Sequence, residues 1–404
     1  MRHIQSKYAL VAGLLLVVVF AFFAWAQLIL PRIYVSAQAI FLQGDANNDG
    51  RVNLVDYEVW RTKYMSGSVD PTTGPTVAPT IQPTIADDAP RVSTVAQGLR
   101  VPWALAFLPN GDLMFTERPG RVRIVKNNVL QQEPVGELAN VAAIGEGGLL
   151  GMALHPAFAS NRYVYFYYTY SVVGDATKNR LVRMKYENDA LGAETVLIDA
   201  IPGANIHNGG RIKFGPDGFL YIGTGDAAEP SLAQDTGSLA GKILRVTDGG
   251  AAAPGNPFSN RTYSYGHRNP QGLAWDSAGQ LWASEHGPDG QDELNVIDAG
   301  ANYGWPTIRG NQQQEGMVKP VAHSGTDTWA PSGMSIIGSK VYMASLRGAA
   351  VTVMSLPNGT NLTQYFKDEY GRLRDVVIGP DGMMYVSTSN TNEDKILRIN
   401  PNKL

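Results

Sequence analysis

The chain has 404 residues, enough for one large domain with attachments. Its 33 Lys and Arg residues against 36 Asp and Glu residues give a formal net charge of −3 with no basic run, which argues against a dedicated nucleic-acid binder. The absence of cysteine excludes disulfides, thiolate metal sites and cysteine nucleophiles, and a hydrophobic fraction of 44% excludes overall disorder.

The first segment is an uncharged apolar run behind a positively charged N-terminus. Residues 1–7 carry Arg2 and Lys7, and the run Ala9–Leu30 would cross a bilayer core as a helix. We expect a single-pass membrane anchor over residues 8–30, with residues 1–7 cytoplasmic and the rest of the chain extracytoplasmic. A cleaved signal peptide is the alternative, because small residues flank Trp25, and the protein would then be secreted.

Residues 43–64 contain the pattern of a calcium-binding loop. Oxygen-bearing side chains occupy loop positions 1, 3, 5, 9 and 12, and Gly50 at position 6 allows the sharp turn. The predicted ligands, including a main-chain carbonyl at position 7, are Asp45, Asn47, Asp49, Arg51, Asn53 and Asp56. The loop resembles one repeat of a dockerin. Dockerins pair two such repeats and only one is found in this sequence, so a protein partner for the loop is left open, and a solvated turn is the alternative.

The third segment, residues 66–90, has the composition of a linker. Pro71, Pro75, Pro79 and Pro83 recur every four residues among Thr and Val, with no core-forming pattern. Such sequences favour extended polyproline-type structure. We therefore expect a stalk that holds the C-terminal domain away from the membrane.

From residue 91 onward one pattern recurs: an apolar pair, a turn and then an alternating strand. Clear copies are Phe107–Thr116 and Phe214–Gly223, and the turns at 111, 161, 218, 279, 338 and 382 are 50, 57, 61, 59 and 44 residues apart. Each interval accommodates a four-stranded blade with its loops. Residues 91–404 are therefore predicted to form an all-β, six-bladed propeller, since an open β-solenoid would have shorter repeats.

Several polar motifs lie between these strands. They are His207–Arg211, Gly223–Asp226, Tyr265–Gly272, Ser284–Pro288, Asp292–Asn295, Asn302–Pro306 and Arg372–Val376. In this order and spacing they resemble the pyrroloquinoline quinone (PQQ)-dependent sugar dehydrogenases, also called glucose/sorbosone or aldose sugar dehydrogenases. The resemblance extends over about 92–401, and the three N-terminal segments lie outside it.

The resemblance implies three catalytic residues. His207 falls on the family's general base, which takes the proton of a sugar hydroxyl while hydride leaves the same carbon. Asp226 matches the acidic partner that orients the imidazole, and Arg268 matches the residue that stabilises the developing alkoxide. By composition alone a lone loop histidine is more often a hydrogen-bonding residue. We interpret His267 and His286 in that way, as loop supports.

The resemblance also implies a set of cofactor contacts. These are Glu146, Asn269, Thr328, Arg347, Arg372 and Arg374. Arg372 and Arg374 alternate, so on a strand they would point the same way and could clamp the cofactor's carboxylates. Arg347 falls where the family often has Lys. Glu146 falls where some members have Gln, and its carboxylate would repel an anionic quinone unless it faced a cation.

Two calcium sites follow from the same resemblance. The carbonyls of Gly287 and Pro288 match ligands of a calcium ion that the quinone also binds, where a hard cation polarises the quinone as a Lewis acid. Asp292, Glu293 and the carbonyl of Tyr303 match a second, structural calcium site.

The sequence therefore predicts a membrane-tethered, calcium-dependent quinoprotein that oxidises aldose sugars. One alternative is a six-bladed calcium-dependent lactonase or related hydrolase, which would not need Arg268, Arg372 and Arg374. Another is a non-catalytic propeller that binds carbohydrate or protein, against which the pair of His207 and Asp226 argues. No residue pattern specifies the sugar or the electron acceptor.

Overall fold

The computed structural model describes residues 85, 88–174 and 177–404. The predicted membrane anchor, the predicted calcium loop and most of the predicted linker lie outside these residues. In the described part of the chain, no helix is long and apolar enough to cross a membrane.

The described residues form six antiparallel sheets of four or five strands each, which confirms the predicted six-bladed propeller. Blade 1 contains β2 (Pro102–Phe107), β3 (Leu113–Glu117), β4 (Arg121–Lys126), β5 (Val129–Leu130) and β6 (Gly136–Glu137). Blade 2 contains β7 (Leu149–Leu154), β8 (Tyr163–Tyr170), β9 (Lys178–Glu187), β10 (Ala190–Leu191) and β11 (Thr195–Pro202), with the short helix α1 (Phe158–Asn161) between β7 and β8.

The next two blades have four strands each. Blade 3 contains β12 (Ile212–Phe214), β13 (Leu220–Thr224), β14 (Lys242–Val246) and β15 (Thr262–Tyr265), with a 3₁₀ turn at Pro230–Ala233. Blade 4 contains β16 (Pro270–Trp275), β17 (Leu281–Glu285), β18 (Glu293–Ile297) and β19 (Ala322–His323).

The last two blades complete the ring. Blade 5 contains β20 (Pro331–Ile337), β21 (Lys340–Ser345), β22 (Ala350–Ser355) and β23 (Thr360–Tyr365). Blade 6 contains β24 (Leu373–Ile378), β25 (Met384–Thr388), β26 (Asp394–Ile399) and, as its outermost strand, β1 (Val92–Leu99), and a 3₁₀ turn follows at Pro401–Lys403.

The ring closes in two ways. The innermost strands of successive blades contact one another around the channel, and β24 of the last blade contacts β2 of the first. In blade 6, β1 pairs with β26, so that Val92 lies opposite Ile399. The first and last strands of the domain therefore lie in one sheet. This pairing closes the ring, because β1 covers the edge of β26 that would otherwise be unpaired.

The recurring sequence pattern has a physical cause that the structure shows directly. Asp217, in the turn before β13, accepts hydrogen bonds from the Tyr221 hydroxyl at 2.9 Å and from Nε of Arg245 at 2.8 Å. Asp381 does the same in blade 6, where the Tyr385 hydroxyl lies at 3.0 Å and Nε of Arg398 at 2.7 Å. The turn carboxylate thus ties together the first three strands of its blade, which explains why the turn and the aromatic residue recur together.

Aromatic residues also join neighbouring blades. The Phe107 ring of blade 1 packs edge-on against Tyr385 of blade 6, with ring centroids 4.7 Å apart. Trp275 of blade 4 packs in the same way against Tyr221 of blade 3 at 5.1 Å. Such contacts bury large apolar surfaces in preferred geometry, and they fix the angle between blades.

The described end of the Pro-rich segment contacts the propeller. Ile85 and Ala89 pack against an apolar cluster of blades 1 and 6. The Lys403 ammonium also donates a hydrogen bond to the Ala89 carbonyl at 2.6 Å. The apolar side chains at the end of the Pro-rich segment therefore belong to the propeller.

Candidate active site

A polar cavity lies at one end of the central channel, where the inner strands begin and the second strands end. It has a volume of about 200 Å³, and residues from every blade or its flanking loops line it. The lining includes Trp103, Glu146, His207, Arg268, Gln271, His286, Gly287, Pro288, Asp292, Thr328, Arg347, Arg372 and Arg374. The cavity therefore collects most of the motifs that the sequence singled out.

His207 and Asp226 form a directly bonded pair at the cavity wall. Nδ1 of His207 lies 2.7 Å from Oδ1 of Asp226, whose side chain has no solvent exposure. Asp226 also accepts hydrogen bonds from the indole N–H of Trp305 at 2.8 Å and from the Ala228 N–H at 2.9 Å. Because a carboxylate can only accept, the ring proton of neutral His207 belongs on Nδ1, which leaves Nε2 with a free lone pair.

Local backbone geometry brings these two side chains together. His207 precedes β12 and has a φ of +57°, a left-handed conformation uncommon outside glycine. A Cβ atom at Gly225 would lie 1.8 Å from the His207 carbonyl oxygen, so only glycine permits the end of β13 to approach this loop. The Gly-Thr-Gly-Asp motif therefore serves close packing as well as carrying Asp226.

Opposite the histidine, the cavity is strongly basic. Burial, together with the charges of Arg372 and Arg211, lowers the pKa of Arg374 to about 9, and burial also lowers the pKa of Arg372. Two contacts hold the Arg374 guanidinium: its carbon lies 5.5 Å from the Trp103 ring centroid, and it donates a hydrogen bond to the Gln271 side chain at 3.3 Å. These cations are held in unfavourable surroundings that a bound anion would relieve.

Arg268 lines the cavity together with His207 and with Gly287 and Pro288, the residues predicted to bind calcium through their carbonyls. Burial lowers the pKa of its guanidinium, which stacks on Trp305 at 5.3 Å and donates to the His286 carbonyl at 3.3 Å. Its neighbour Asn269 is buried behind the cavity wall, where its oxygen accepts from the Gly209 N–H at 3.0 Å and its amide nitrogen has no partner. Asn269 thus supports the wall, while Arg268 faces the cavity.

The remaining predicted cofactor contacts occupy the rim and one side. Arg347 is exposed at the rim, and Thr328 is half-buried nearby. Glu146 lines the side next to the histidine, and its Oε2 accepts a hydrogen bond from the His207 N–H at 2.9 Å. The sequence did not suggest that contact, because it joins loops 61 residues apart.

The loop of residues 286–292 forms the wall predicted to hold a calcium ion. The carboxylate of Asp292 accepts hydrogen bonds from the N–H groups of Gly287 at 2.9 Å, Trp329 at 2.7 Å and Ala330 at 2.8 Å. This network fixes the main chain that carries the Gly287 and Pro288 carbonyls. Among the described residues, no three His, Cys, Asp or Glu side chains converge in the manner of a metal site, and the ligands predicted at Gly287 and Pro288 are main-chain carbonyls.

Of the three ligands predicted for the second calcium site, Asp292 lines the main cavity, and the other two lie at a second, much smaller cavity. Glu293 and Tyr303 line it, and burial together with the charge of Glu285 raises the pKa of Glu293. The buried side-chain oxygen of Gln291, in the same lining, has no hydrogen-bond partner. The cavity thus brings together the Glu285 and Glu293 carboxylates and an unpaired oxygen.

Sequence reasoning missed some functional neighbours. His286, interpreted as a loop support, lines the main cavity, and burial together with the charges of Arg374 and Arg268 lowers its pKa to about 3. Trp103 supports the arginines, yet it lies in an ordinary strand pattern that carries no signal. His267 is a loop support as expected, since it is fully buried and bonded to Ser264 and Glu285.

The fold and the site together define an enzyme-like class of propeller, in which a histidine bonded to a carboxylate and several arginines line one channel mouth. The model of the Glucose / Sorbosone dehydrogenase family matches residues 99–398. The chain belongs to that family.

Relatives and solved structures agree with this assignment. The chain is 42% identical to the PQQ-bound aldose sugar dehydrogenase of Streptomyces coelicolor, with 76% of this chain and 97% of that chain covered and a TM-score of 0.71. It is 35% identical to an aldose sugar dehydrogenase of Escherichia coli, covering 77% of this chain and 92% of the relative. It is also 32% identical to quinoprotein glucose dehydrogenase B of Acinetobacter calcoaceticus, over 55% of this chain and 53% of the relative.

Proposed function

We propose that this protein oxidises aldose sugars to lactones at the anomeric carbon with PQQ as its cofactor, and that His207 is the general base. One observation carries the proposal: His207, which is bonded to Asp226, lines a single cavity together with Arg268, Arg372 and Arg374. A hydrolase or a binding module has no use for that combination. Membership of a sugar dehydrogenase family supports the same choice.

The cavity residues fit an anionic cofactor. In the described part of the chain, Arg372 and Arg374 lack a carboxylate within ion-pair distance, whereas Arg211 has one in Asp375 at 3.0 Å. Nε of Arg374 and Nε of Arg268 are buried without a hydrogen-bond partner. Leaving such donors unpaired is costly, so they are suited to the carboxylate and carbonyl oxygens of PQQ. Arg347 and Thr328 would complete the rim.

When bound, PQQ supplies a two-electron acceptor beside the sugar carbon. His207 accepts the proton of the sugar hydroxyl at Nε2, because Nδ1 is bonded to Asp226. Asp226 keeps the ring oriented and stabilises the imidazolium that forms, as the buried carboxylate of a catalytic triad does. Arg268 sets a positive charge next to this pair, where negative charge develops during the reaction.

Calcium is the second part of the proposal. Gly287 and Pro288 line the cavity together with Arg268, their carbonyls would bind the ion, and Asp292 would hold the loop in place. Glu293 and the Tyr303 carbonyl would bind a structural ion in the smaller cavity, where Gln291 offers a further oxygen. Oxygen ligands of this kind suit a hard cation.

The location of the enzyme is also proposed, from the N-terminal sequence alone. The apolar run Ala9–Leu30 would anchor the chain, and the Pro-rich segment would hold the propeller on the extracytoplasmic side, where it passes electrons to an acceptor. Full-length protein should fractionate with membranes, and a mature N-terminus at Gln27 would contradict the uncleaved anchor. Calorimetry should detect one fewer calcium ion bound by Asp45→Ala/Asp49→Ala than by wild type, and an equal number in both proteins would mean that the loop is only a turn.

Reconstitution tests the enzymatic proposal. Purified full-length protein, loaded with PQQ and calcium, should reduce a redox dye when an aldose is added and should release the corresponding lactone. Omission of PQQ is the control and should abolish dye reduction. Hydrolysis of a lactone without dye reduction would instead identify the hydrolase, and ligand binding without turnover would identify a binding propeller.

A further inference from the structure

Two loops are fastened together beside the histidine of the active site. In the loop between β6 and β7, the Glu146 carboxylate accepts a hydrogen bond from the His207 N–H at 2.9 Å. The Glu146 N–H in turn donates to the Asn205 carbonyl at 2.7 Å. A Cβ at the preceding Gly145 would lie 2.1 Å from that same carbonyl oxygen, so the two loops are in van der Waals contact. Glu146 is therefore joined to the main chain of the base from two sides.

The main chain of His207 needs such support. Its φ of +57° lies in the left-handed region, which non-glycine residues rarely adopt unless the surroundings over-determine it. Asp226 holds the ring at 2.7 Å, and the Ala227 N–H holds the carbonyl at 3.2 Å. The N–H is held by Glu146 alone among the described residues. Loss of this bond would free the peptide that sets the position of Nε2.

The charge of Glu146 is not explained by ion pairing. In the described residues no cation lies within ion-pair distance of it, although Arg118, Arg268, Arg372 and Arg374 interact with it at longer range. In the cavity wall, this carboxylate opposes the binding of an anionic cofactor. The same carboxylate accepts the hydrogen bond from the His207 N–H.

We propose that Glu146 is a positioning residue, whose carboxylate oxygen locks the His207 main chain so that Nε2 points at the substrate. The acceptor oxygen performs this role, and the negative charge lowers the affinity for the cofactor. The proposal rests on the proposed function of His207 as the base. Substitution can distinguish the hydrogen-bond acceptor of Glu146 from its negative charge, because glutamine keeps the oxygen and removes the charge.

Glu146→Gln and Glu146→Ala form the matched pair of variants. In PQQ-loaded enzyme, Glu146→Gln should keep kcat within about threefold of wild type, whereas Glu146→Ala should lower kcat about 10- to 100-fold with KM for the sugar less affected, the range expected for a lost charge-assisted hydrogen bond. Both variants should bind PQQ more tightly than wild type in titrations of the apo-protein, because both lose the same charge. Equal kcat values in the two variants would overturn the positioning role. Weaker PQQ binding in both variants would overturn the proposal that the charge of Glu146 lowers the affinity for PQQ.

A cofactor-free measurement separates this inference from the proposed function. Hydrogen exchange of the His207 amide, resolved by mass spectrometry on the full chain, should be about 10- to 100-fold faster in Glu146→Ala than in wild type or Glu146→Gln. Glu146→Met, with a longer side chain and no oxygen, should behave like Glu146→Ala and replaces it if the alanine variant does not fold. Unchanged exchange in both would refute the contact. If exchange changes as expected but wild-type enzyme reduces no dye, the proposed function fails and the contact stands.

Discussion

Replacing Asp226 with Asn tests the histidine–carboxylate pair at a single atom. Oδ1 of Asp226 faces two donors, His207 Nδ1 at 2.7 Å and the Ala228 N–H at 2.9 Å, and Oδ2 faces the Trp305 indole N–H at 2.8 Å. An amide has only one acceptor oxygen. If that oxygen stays toward His207, the amide N–H₂ meets the indole N–H. If it turns away, the N–H₂ donates to Nδ1 and forces the ring proton onto Nε2, which can then no longer accept a proton.

With the oxygen toward His207, the imidazolium keeps a hydrogen bond but loses its charged acceptor. Charge-assisted hydrogen bonds contribute about 1.5–3 kcal/mol, which corresponds to a fall in kcat of about 10- to 150-fold at 1.36 kcal/mol per factor of ten. The flipped arrangement disables the base and should lower kcat about 10²- to 10⁴-fold. The assay is steady-state dye reduction with PQQ and calcium at saturation, so that cofactor loading is equal in all variants. PQQ affinity should change little, because the arginines opposite are untouched.

Asp217→Asn is the matched control. Asp217 lies at the other end of β13 and bonds to Tyr221 and Arg245 in the same blade. This variant should lower the melting temperature by a few degrees and keep kcat within about twofold of wild type. Wild-type turnover by the fully loaded Asp226→Asn enzyme would refute the reasoning about the pair.

Further predictions concern the base His207, the arginines, Trp103 next to Arg374, and the metal. His207→Ala should retain PQQ binding and lower turnover about 10²- to 10⁴-fold in stopped-flow assays. Arg374→Leu should raise the Kd for PQQ about 10- to 150-fold in fluorescence titrations, through loss of a charged hydrogen-bond donor. Trp103→Ala should destabilise the propeller by about 3–5 kcal/mol in urea unfolding, because this side chain is only 1% exposed. Chelation should inactivate the enzyme reversibly, and Glu293→Gln should lose calcium more readily than wild type in chelator competition.

The architecture was largely readable from the sequence, because its cause is local and repeated. In blades 3 and 6 the turn aspartate and the tyrosine four positions later, Asp217 with Tyr221 and Asp381 with Tyr385, form one hydrogen-bonded unit, and the turns recur at about one blade's spacing. The pairing of β1 with β26 was not readable. It joins segments about 300 residues apart, and neither strand carries a signal for the other.

The site was predicted in part for the same reason. Motifs such as those around His207 and Arg374 place their side chains at the ends of strands, so the propeller gathers them at one mouth. Contacts between side chain and main chain across blades leave no pattern in the sequence. The bond from Glu146 to the His207 N–H and the packing of Trp103 under Arg374 are of this kind. The burial of Asn269 and its unpaired amide nitrogen likewise leave no pattern in the sequence, and its contact with the cofactor stays a prediction.

The most direct test of the central claim is a single-turnover experiment with a sugar deuterated at the anomeric carbon. Full-length protein is loaded with PQQ and calcium and mixed with either the unlabelled or the deuterated aldose. Reduction of the cofactor is followed by absorbance. Hydride transfer from that carbon predicts a primary isotope effect on the rate of reduction and a further slowing in His207→Ala. Reduction of the cofactor at the same rate with both sugars, or no reduction by any aldose, would contradict the account.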